Sequence, residues 1–321
     1  MEKGKRLIAV VGPTASGKTA LAVQLAKKYD GEVVSADSMQ IYTGMDIASA
    51  KPTEAEKEGI PHHLMDFLDP CESFSVSDYV KLAARAIDDI LNRGRQPIIC
   101  GGSGLYVRSL INNISFADEE KNEQLRQELN DRYDEEGGEV MLRELETFDP
   151  ETAQRLHPSD KKRIVRAIEI YRSTGINMTE HIQRSRLVPS PYEVTAIGLT
   201  FADRQKLYER INTRVDRMLE NGLVEEARDF YADKKGHTAS AAIGYKELRL
   251  YLEGRISLEA AVEKLKMETR RFAKRQMTWF RADEYIHWIE VDCCEDVLAE
   301  AERIIQDGGK PWINPHGSEK E

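Results

Sequence analysis

Residues 12–19 read Gly12-Pro13-Thr14-Ala15-Ser16-Gly17-Lys18-Thr19, a match to GxxxxGK[ST], and they lie between a short apolar run and a helical pattern. Strand, loop and helix in that order are the context a phosphate-binding loop requires. Roughly one chain of this length in a hundred would carry the pattern by chance, and fewer once the flanking elements are demanded. Glycine lets the backbone wrap, so that the amides of Ala15 to Thr19 and the start of the helix present partial positive charge to an anion. Lys18 adds a full charge, and the Thr19 hydroxyl suits a phosphate-bound Mg²⁺. A diphosphate is the expected occupant.

What becomes of it depends on the carboxylates nearby. Enzymes that transfer phosphoryl groups usually place an aspartate at the end of an apolar strand, for the metal. The candidate strand 97–100 instead runs into Gly101-Gly102-Ser103-Gly104, with no acid. The carboxylate stands elsewhere: Val34-Ser35-Ala36-Asp37-Ser38 puts Asp37 at a strand end, where ligands of parallel sheets collect. Asp37 can equally be a turn residue in that short polar segment. The second glycine-rich turn, 101–106 (GGSGLY), either admits a ring or a backbone close to the site or is simply tight.

Charge is segregated along the chain. A net charge of −10 over 321 residues argues at first against a nucleic-acid partner. Between Asp118 and Glu151, however, fourteen acids accompany four bases, a net of −10, so the remainder balances to zero. Within that remainder, residues 161–166 (KKRIVR) carry +4, and residues 264–281 carry seven bases against the single acid Glu268. Arg270, Arg271, Lys274 and Arg275, interleaved with Phe272, Trp279 and Phe280, have the composition of a phosphate-backbone footprint, although many charged helix faces are merely solvated.

These groups need a scaffold to hold them. Five Val- and Ile-rich runs, 7–11, 32–35, 97–100, 194–199 and 285–289, read as buried parallel strands, with helices at Lys18–Lys28 and 77–92. The alternation implies an α/β fold, a doubly wound parallel sheet of the P-loop NTPase kind. Residues 117–190 interrupt it with helical periodicity and no strand. They are expected to form an inserted all-helical domain, leaving 1–116 and 191–321 as the core. A long helix is expected over 203–234, with Arg210, Arg214 and Arg217 on one face, and another over Leu258–Phe280. His62-His63 is expected to cap or pack, and the tail after Asp307 to be loosely held. No apolar run approaches the roughly 18–20 residues of a membrane-spanning helix. The four cysteines, 71, 100, 293 and 294, contain no CxxC pair for zinc. A reduced, cytoplasmic, monomeric protein without membrane contact is expected.

Seven segments, in order, carry a resemblance: 12–19 (GPTASGKT), 35–52 (SADSMQIYTGMDIASAKP), 61–66 (PHHLMD), 101–106 (GGSGLY), 157–170 (HPSDKKRIVRAIEI), 243–247 (IGYKE) and 269–281 (TRRFAKRQMTWFR). Along nearly its whole length the chain resembles the bacterial tRNA dimethylallyltransferases, also called isopentenylpyrophosphate transferases. The resemblance implies that the loop holds the diphosphate of dimethylallyl diphosphate, and that the five-carbon group passes to N6 of the adenosine on the 3′ side of the anticodon in tRNA. Diphosphate is then the leaving group, which accounts for the missing strand-end carboxylate. Asp37 resembles the family's general base and Arg214 its catalytic arginine, a choice that spacing alone leaves open among Arg210, Arg214 and Arg217. Lys18, Thr19 and Mg²⁺ complete the diphosphate side.

The same resemblance places Asp37, Ser38, Met39, Gln40 and Ser103 near the target base. Arg126, Lys162, Arg163, Ile164, Val165 and Arg166, with Ala241, Ala242, Ile243, Gly244, Tyr245 and Lys246, are implied along the anticodon stem-loop. Two positions depart from the family pattern: threonine is frequent where Ser103 stands, and Ala241 is an arginine in some relatives. Three other activities fit such a loop, namely prenylation of free adenylate, a small-molecule kinase and an RNA-stimulated ATPase.

Overall fold

In a computed structural model of the chain, residues 5–114, 122–185, 188–232 and 239–308 are described. The tail after Gly308 and the 233–234 end of the expected long helix lie outside them. The chain divides into two compact units, one drawn from 5–111 and 190–308, the other from 112–189.

The first unit opens with β1 (Lys5–Val11), α1 (Lys18–Lys28), β2 (Gly31–Ser35), α2 (Glu54–Lys57), β3 (His62–His63), α3 (Val76–Asn92), β4 (Gln96–Gly101) and α4 (Gly104–Ile111). The second unit is α5 (Glu123–Glu136), α6 (Gly138–Phe148), α7 (Pro150–Arg155), α8 (Lys161–Thr174) and α9 (Met178–Ser185). The first unit resumes with β5 (Tyr192–Thr200), α10 (Arg204–Glu220), α11 (Leu223–Ala232), a single 3₁₀ turn at Ala239–Ala241, α12 (Tyr245–Leu252), α13 (Leu258–Phe280), β6 (Ile286–Glu290) and α14 (Val297–Gln306).

All six strands pair in parallel, in the order β3-β2-β4-β1-β5-β6. β1 shows why a continuous apolar run marks such a strand. Leu7, Ala9 and Val11 face α3 and α4, where Tyr79, Ala83, Ile87, Ile90, Val107 and Leu110 cover them. Ile8 and Val10 face the opposite layer, built by Leu21, Ala22 and Leu25 of α1 with Ala301, Ile304 and Ile305 of α14. Both faces are therefore apolar, and period-2 alternation disappears. The architecture is the doubly wound α/β core of a P-loop fold.

Each of the five expected strands is present. β3 was not expected as a strand, because two residues carry no periodicity; His62 and His63 instead extend the sheet edge beside Val33 and Val34. His63 Nε2 lies 2.6 Å from Glu32 Oε2, and Arg93 and Arg95 bind the same carboxylate, which is 2% exposed. Arg93 above all holds Glu32 down to about 2. The expected 203–234 helix is broken: α10 ends at Glu220 and α11 begins at Leu223, with Gly222 at φ +96° reversing the chain.

A further core joins α11, α12 and α13 to the 41–45 segment through Ile41, Tyr42, Met45, Phe230, Tyr245 and Leu265. Glu226 fastens the same segment, accepting the amides of Asp46, Ile47 and Ala48 at 2.7–2.9 Å and the Tyr245 hydroxyl at 2.9 Å. The helical unit has its own core of Leu129, Met141, Leu145, Ile164, Val165 and Ile168. Among the described residues no helix is long and apolar enough to cross a membrane.

Candidate active site

The 12–19 loop leaves β1 in a conformation few side chains tolerate. Gly12 and Gly17 have φ +142° and +97°, and Ala15, which has a Cβ, has φ +63°. A left-handed alanine costs stability, and such residues persist where surrounding contacts hold them. In this loop Arg210 Nε donates to the Ala15 carbonyl at 2.9 Å. Gly17 is the N-cap of α1 and supplies no side-chain cap, so the first amides of the helix are left for an anion. Ser16 Oγ is buried without a hydrogen-bond partner among the described residues. Lys18 Nζ folds back onto the Pro13 carbonyl at 2.6 Å, and desolvation brings its pKa down to about 8.

The second wall is made by the ends of β2 and β4. The Ala36 amide donates to the Cys100 carbonyl at 2.8 Å, and the Ser103 amide to the Ala36 carbonyl at 3.1 Å. A Cβ on Gly101 would stand 2.1 Å from the Ala36 carbonyl oxygen, so glycine is required there by backbone approach. GGSGLY is thus a docking turn against the segment that carries Asp37. Ser103 Oγ accepts the Ser38 amide at 3.0 Å. Asp37 Oδ1 accepts the Met39 amide at 2.9 Å, the turn geometry its setting suggested, and its other oxygen has no hydrogen-bond partner among the described residues. Gln40 is wedged between Ser35 Oγ at 3.2 Å and the Ser49 and Ala50 carbonyls at 3.4 and 3.2 Å.

Structure separates the three arginines that spacing could not. Arg217 is exposed, and Arg210 braces the loop from outside. Arg214 is desolvated enough to fall below its ordinary pKa, opposed by the charge of Asp37. Lys18 feels both Arg214 and Asp37, so these three charged groups share one pocket of field. Cys100, buried beside them, has its thiol pushed up to about 11 and is inert as a nucleophile.

The residues expected along RNA are placed unevenly. On α13, Arg271, Lys274 and Arg275 are exposed, whereas Arg270 turns to Asn212 Oδ1 at 2.6 Å. Arg271, Lys274 and Arg275 line a cleft of about 620 Å³ with Trp279 and Arg108, the latter 5.0 Å over the indole. Of the 241–246 segment, Ala242, Gly244 and Tyr245 are buried and Lys246 is exposed. In the helical unit Ile164 and Val165 belong to the core, leaving Lys162 and Arg163 exposed. Arg126 and Arg166 both bind Glu169, at 3.0–3.1 Å, which holds their guanidinium groups in place.

One residue at the site escaped the sequence reading. Gln276 Oε1 accepts the Thr14 amide at 2.9 Å, and its Nε2 donates to the Gly102 carbonyl at 3.1 Å. A signal existed: Ala273, Gln276 and Phe280 fall at three- and four-residue spacing, a buried stripe with one polar member.

Comparison with known proteins agrees with this geometry. The family model described as IPP transferase matches residues 40–283. The tRNA dimethylallyltransferase of Thermoanaerobacter sp. (strain X514) is 47% identical over 291 residues, covering 89% of this chain and 92% of that protein. The crystal structure of the tRNA isopentenylpyrophosphate transferase of Bacillus halodurans is similar over 95% of this chain and 96% of that one, at 42% identity and a TM-score of 0.70. A eukaryotic dimethylallyltransferase, solved acting on tRNA, matches 94% of this chain and 78% of its own at 30% identity, with a TM-score of 0.79. The chain belongs to the IPP transferase family.

Proposed function

We infer that this protein is a tRNA dimethylallyltransferase: it moves the five-carbon group of dimethylallyl diphosphate to N6 of the adenosine on the 3′ side of the anticodon and releases diphosphate. One observation carries the reading. The loop that leads into Lys18 and the uncapped start of α1 follows β1, and Asp37 follows β2; these two parallel strands flank β4, and β4 itself ends in glycines rather than in an acid. An anion cradle and a free carboxylate oxygen suit displacement of diphosphate from carbon.

The exocyclic amine of adenine is a poor nucleophile, so its proton must leave as the C–N bond forms. Asp37 takes it, while Oδ1 keeps the Met39 amide and so keeps the carboxylate oriented. As the C–O bond breaks, its electron pair goes to the diphosphate. Lys18, Arg214, the Ser16 hydroxyl and the uncapped amides of α1 meet that charge. The charge of the bound anion also offsets the desolvation of Lys18, which is then held protonated. The target base must leave its stack to reach this pocket, and Ser103 with Asp37 to Gln40 forms the wall it meets. Arg271, Lys274, Arg275 and Lys246 on one unit, and Arg126, Lys162, Arg163 and Arg166 on the other, bind the RNA backbone.

The donor set also bears on Mg²⁺. Among the described residues no cluster of three or more His, Cys, Asp or Glu side chains could hold a metal. Thr19 offers one hydroxyl at the first turn of α1, a fit for a cation carried mainly by diphosphate oxygens and water. When bound, Mg²⁺ supplies charge neutralisation for the leaving diphosphate.

The test is to incubate the protein with unmodified tRNA and dimethylallyl diphosphate labelled in the prenyl chain, then digest the RNA. Label is expected only in a prenylated adenosine. Free adenylate accepting label as readily as tRNA, or label reaching a substrate from the terminal phosphate of ATP, would overturn the assignment.

A further inference from the structure

α13 sends Arg271, Lys274 and Arg275 to solvent on one side and one buried polar side chain inward on the other. Gln276 is 5% exposed, and its two hydrogen bonds reach different loops. Thr14 lies in the loop after β1, where the diphosphate is held, and Gly102 in the turn after β4, next to Ser103. Gly102 has no room for a side chain because Gln276 fills the space: a Cβ there would stand 2.1 Å from Gln276 Nε2.

We propose that Gln276 is a positioning residue that splints the donor loop to the acceptor turn and so sets the separation between the allylic carbon and the attacking nitrogen. It acts through Thr14 and Gly102 and touches no reacting atom. The proposal rests on the prenyl-transfer reading for its effect on turnover, but not for its effect on the phosphate site. It also narrows the loop's role. The Thr14 amide is already spent on Gln276, so the anion is left to the amides from Ala15 onward, to Ser16 Oγ and to the start of α1.

The site calls for an acceptor and a donor in one planar group, which glutamine provides. An ionised glutamate would keep the acceptor for Thr14 and set its second oxygen against the Gly102 carbonyl. A protonated one would regain the donor. Burial raises the pKa of such a carboxyl, bringing its titration into an accessible range.

The experiment measures binding of inorganic pyrophosphate by calorimetry, and turnover with tRNA and dimethylallyl diphosphate, on the full chain. The variants are Gln276→Ala, Gly102→Ala, their double, and Gln276→Glu. Each single alanine variant is expected to bind pyrophosphate about tenfold more weakly and to lose about a hundredfold in kcat, the usual effect of a misplacement near 1 Å, with KM for tRNA unchanged. The double variant is expected to be no worse than the poorer single, because both changes break the same link and the shortened side chain at position 276 leaves room for a Cβ at 102. Gln276→Glu, referred to the parent at each pH, is expected to approach parental behaviour at acid pH and to fall away as pH rises.

Losses that multiply in the double variant, parental kcat in Gln276→Ala, or a Gln276→Glu protein that tracks the parent at every pH would each overturn the splint. Should Gln276→Ala melt below the assay temperature, the pH series of Gln276→Glu decides the matter, since its protonated form preserves both bonds. A parent that binds pyrophosphate in the expected Gln276-dependent way yet never prenylates tRNA would sink the assigned reaction and leave the splint standing.

Discussion

The Ser38 amide donates to Ser103 Oγ at 3.0 Å, joining residues 65 apart in sequence at the ends of β2 and β4. The bond fixes the start of the segment that presents Asp37, Met39 and Gln40. A hydroxyl is what the geometry uses, and threonine supplies it equally. Ser103→Ala is expected to lower turnover on tRNA about fivefold, the worth of one hydrogen bond of roughly 1 kcal/mol, whereas Ser103→Thr stays near the parent. Steady-state rates of the two variants decide this, and equal rates would detach the hydroxyl from the reaction.

Asp37 holds a turn through Oδ1 and offers its other oxygen to substrate, so two substitutions separate the roles. Asp37→Asn keeps the acceptor for Met39 and loses the base; Asp37→Ala loses both. Each is expected to turn over about two to four powers of ten more slowly, with tRNA binding retained. Rates and RNA affinities measured on the same preparations check it. Parental turnover by Asp37→Asn would reduce Asp37 to a turn residue.

Lys18 gives a pH dependence whose sign follows from burial. Its pKa is lowered from 10.5 to about 8 in the folded protein, chiefly by desolvation. Diphosphate binds the charged form, so affinity for pyrophosphate should fall as pH rises beyond 8, by up to about tenfold per pH unit. Stability of the unliganded protein runs the other way. The penalty for burying the charge is fully present below pH 8 and is relieved between 8 and 10.5. Lys18→Met is therefore expected to melt higher than the parent near neutral pH while binding pyrophosphate weakly and without this pH slope. Calorimetric titrations and melting curves across that range measure both effects, and a melting point lowered by the substitution would contradict the desolvated charge.

RNA binding should be strongly salt-dependent even though the whole chain carries a net −10. Arg271, Lys274 and Arg275 are exposed on one helix, and removing any one cation that meets a phosphate should lower the slope of log K against log salt by about 1. Binding isotherms of the parent and of a Lys274→Glu, Arg275→Glu variant over a salt series test this. A flat response in the parent would show that the basic face does not meet a phosphate backbone.

Much of this architecture was legible in the chain because buried parallel strands are written as unbroken apolar runs and because α3 carries strong helical periodicity, with Tyr79, Ala83, Ile87 and Ile90 on its buried stripe. The phosphate loop was legible through its glycines and Lys18. What stayed hidden depends on depth and on long-range pairing. Arg210, Arg214 and Arg217 share a helix face, yet only the approach of α10 to the loop decides which guanidinium loses its water. Glu226 and Glu32 look like ordinary surface acids until the fold brings three backbone amides to one and two arginines to the other. Gln276 sat inside a segment whose charge drew the eye to RNA, and its polar place in a buried stripe was the clue passed over. The break at Gly222 escaped because a single glycine within helical periodicity is often tolerated.

The central claim is that the allylic carbon of the donor, and not its phosphorus, is attacked. Dimethylallyl diphosphate carrying ¹⁸O in the bridge between C1 and phosphorus tests it in one turnover with tRNA. Cleavage of the C–O bond leaves all of the label in the released diphosphate and none in the nucleoside, which is the expected result. Label recovered in dimethylallyl alcohol, or phosphorus found on the acceptor, would place the attack at phosphorus and contradict the roles of Asp37 as base and of Lys18 and Arg214 as partners of the leaving diphosphate.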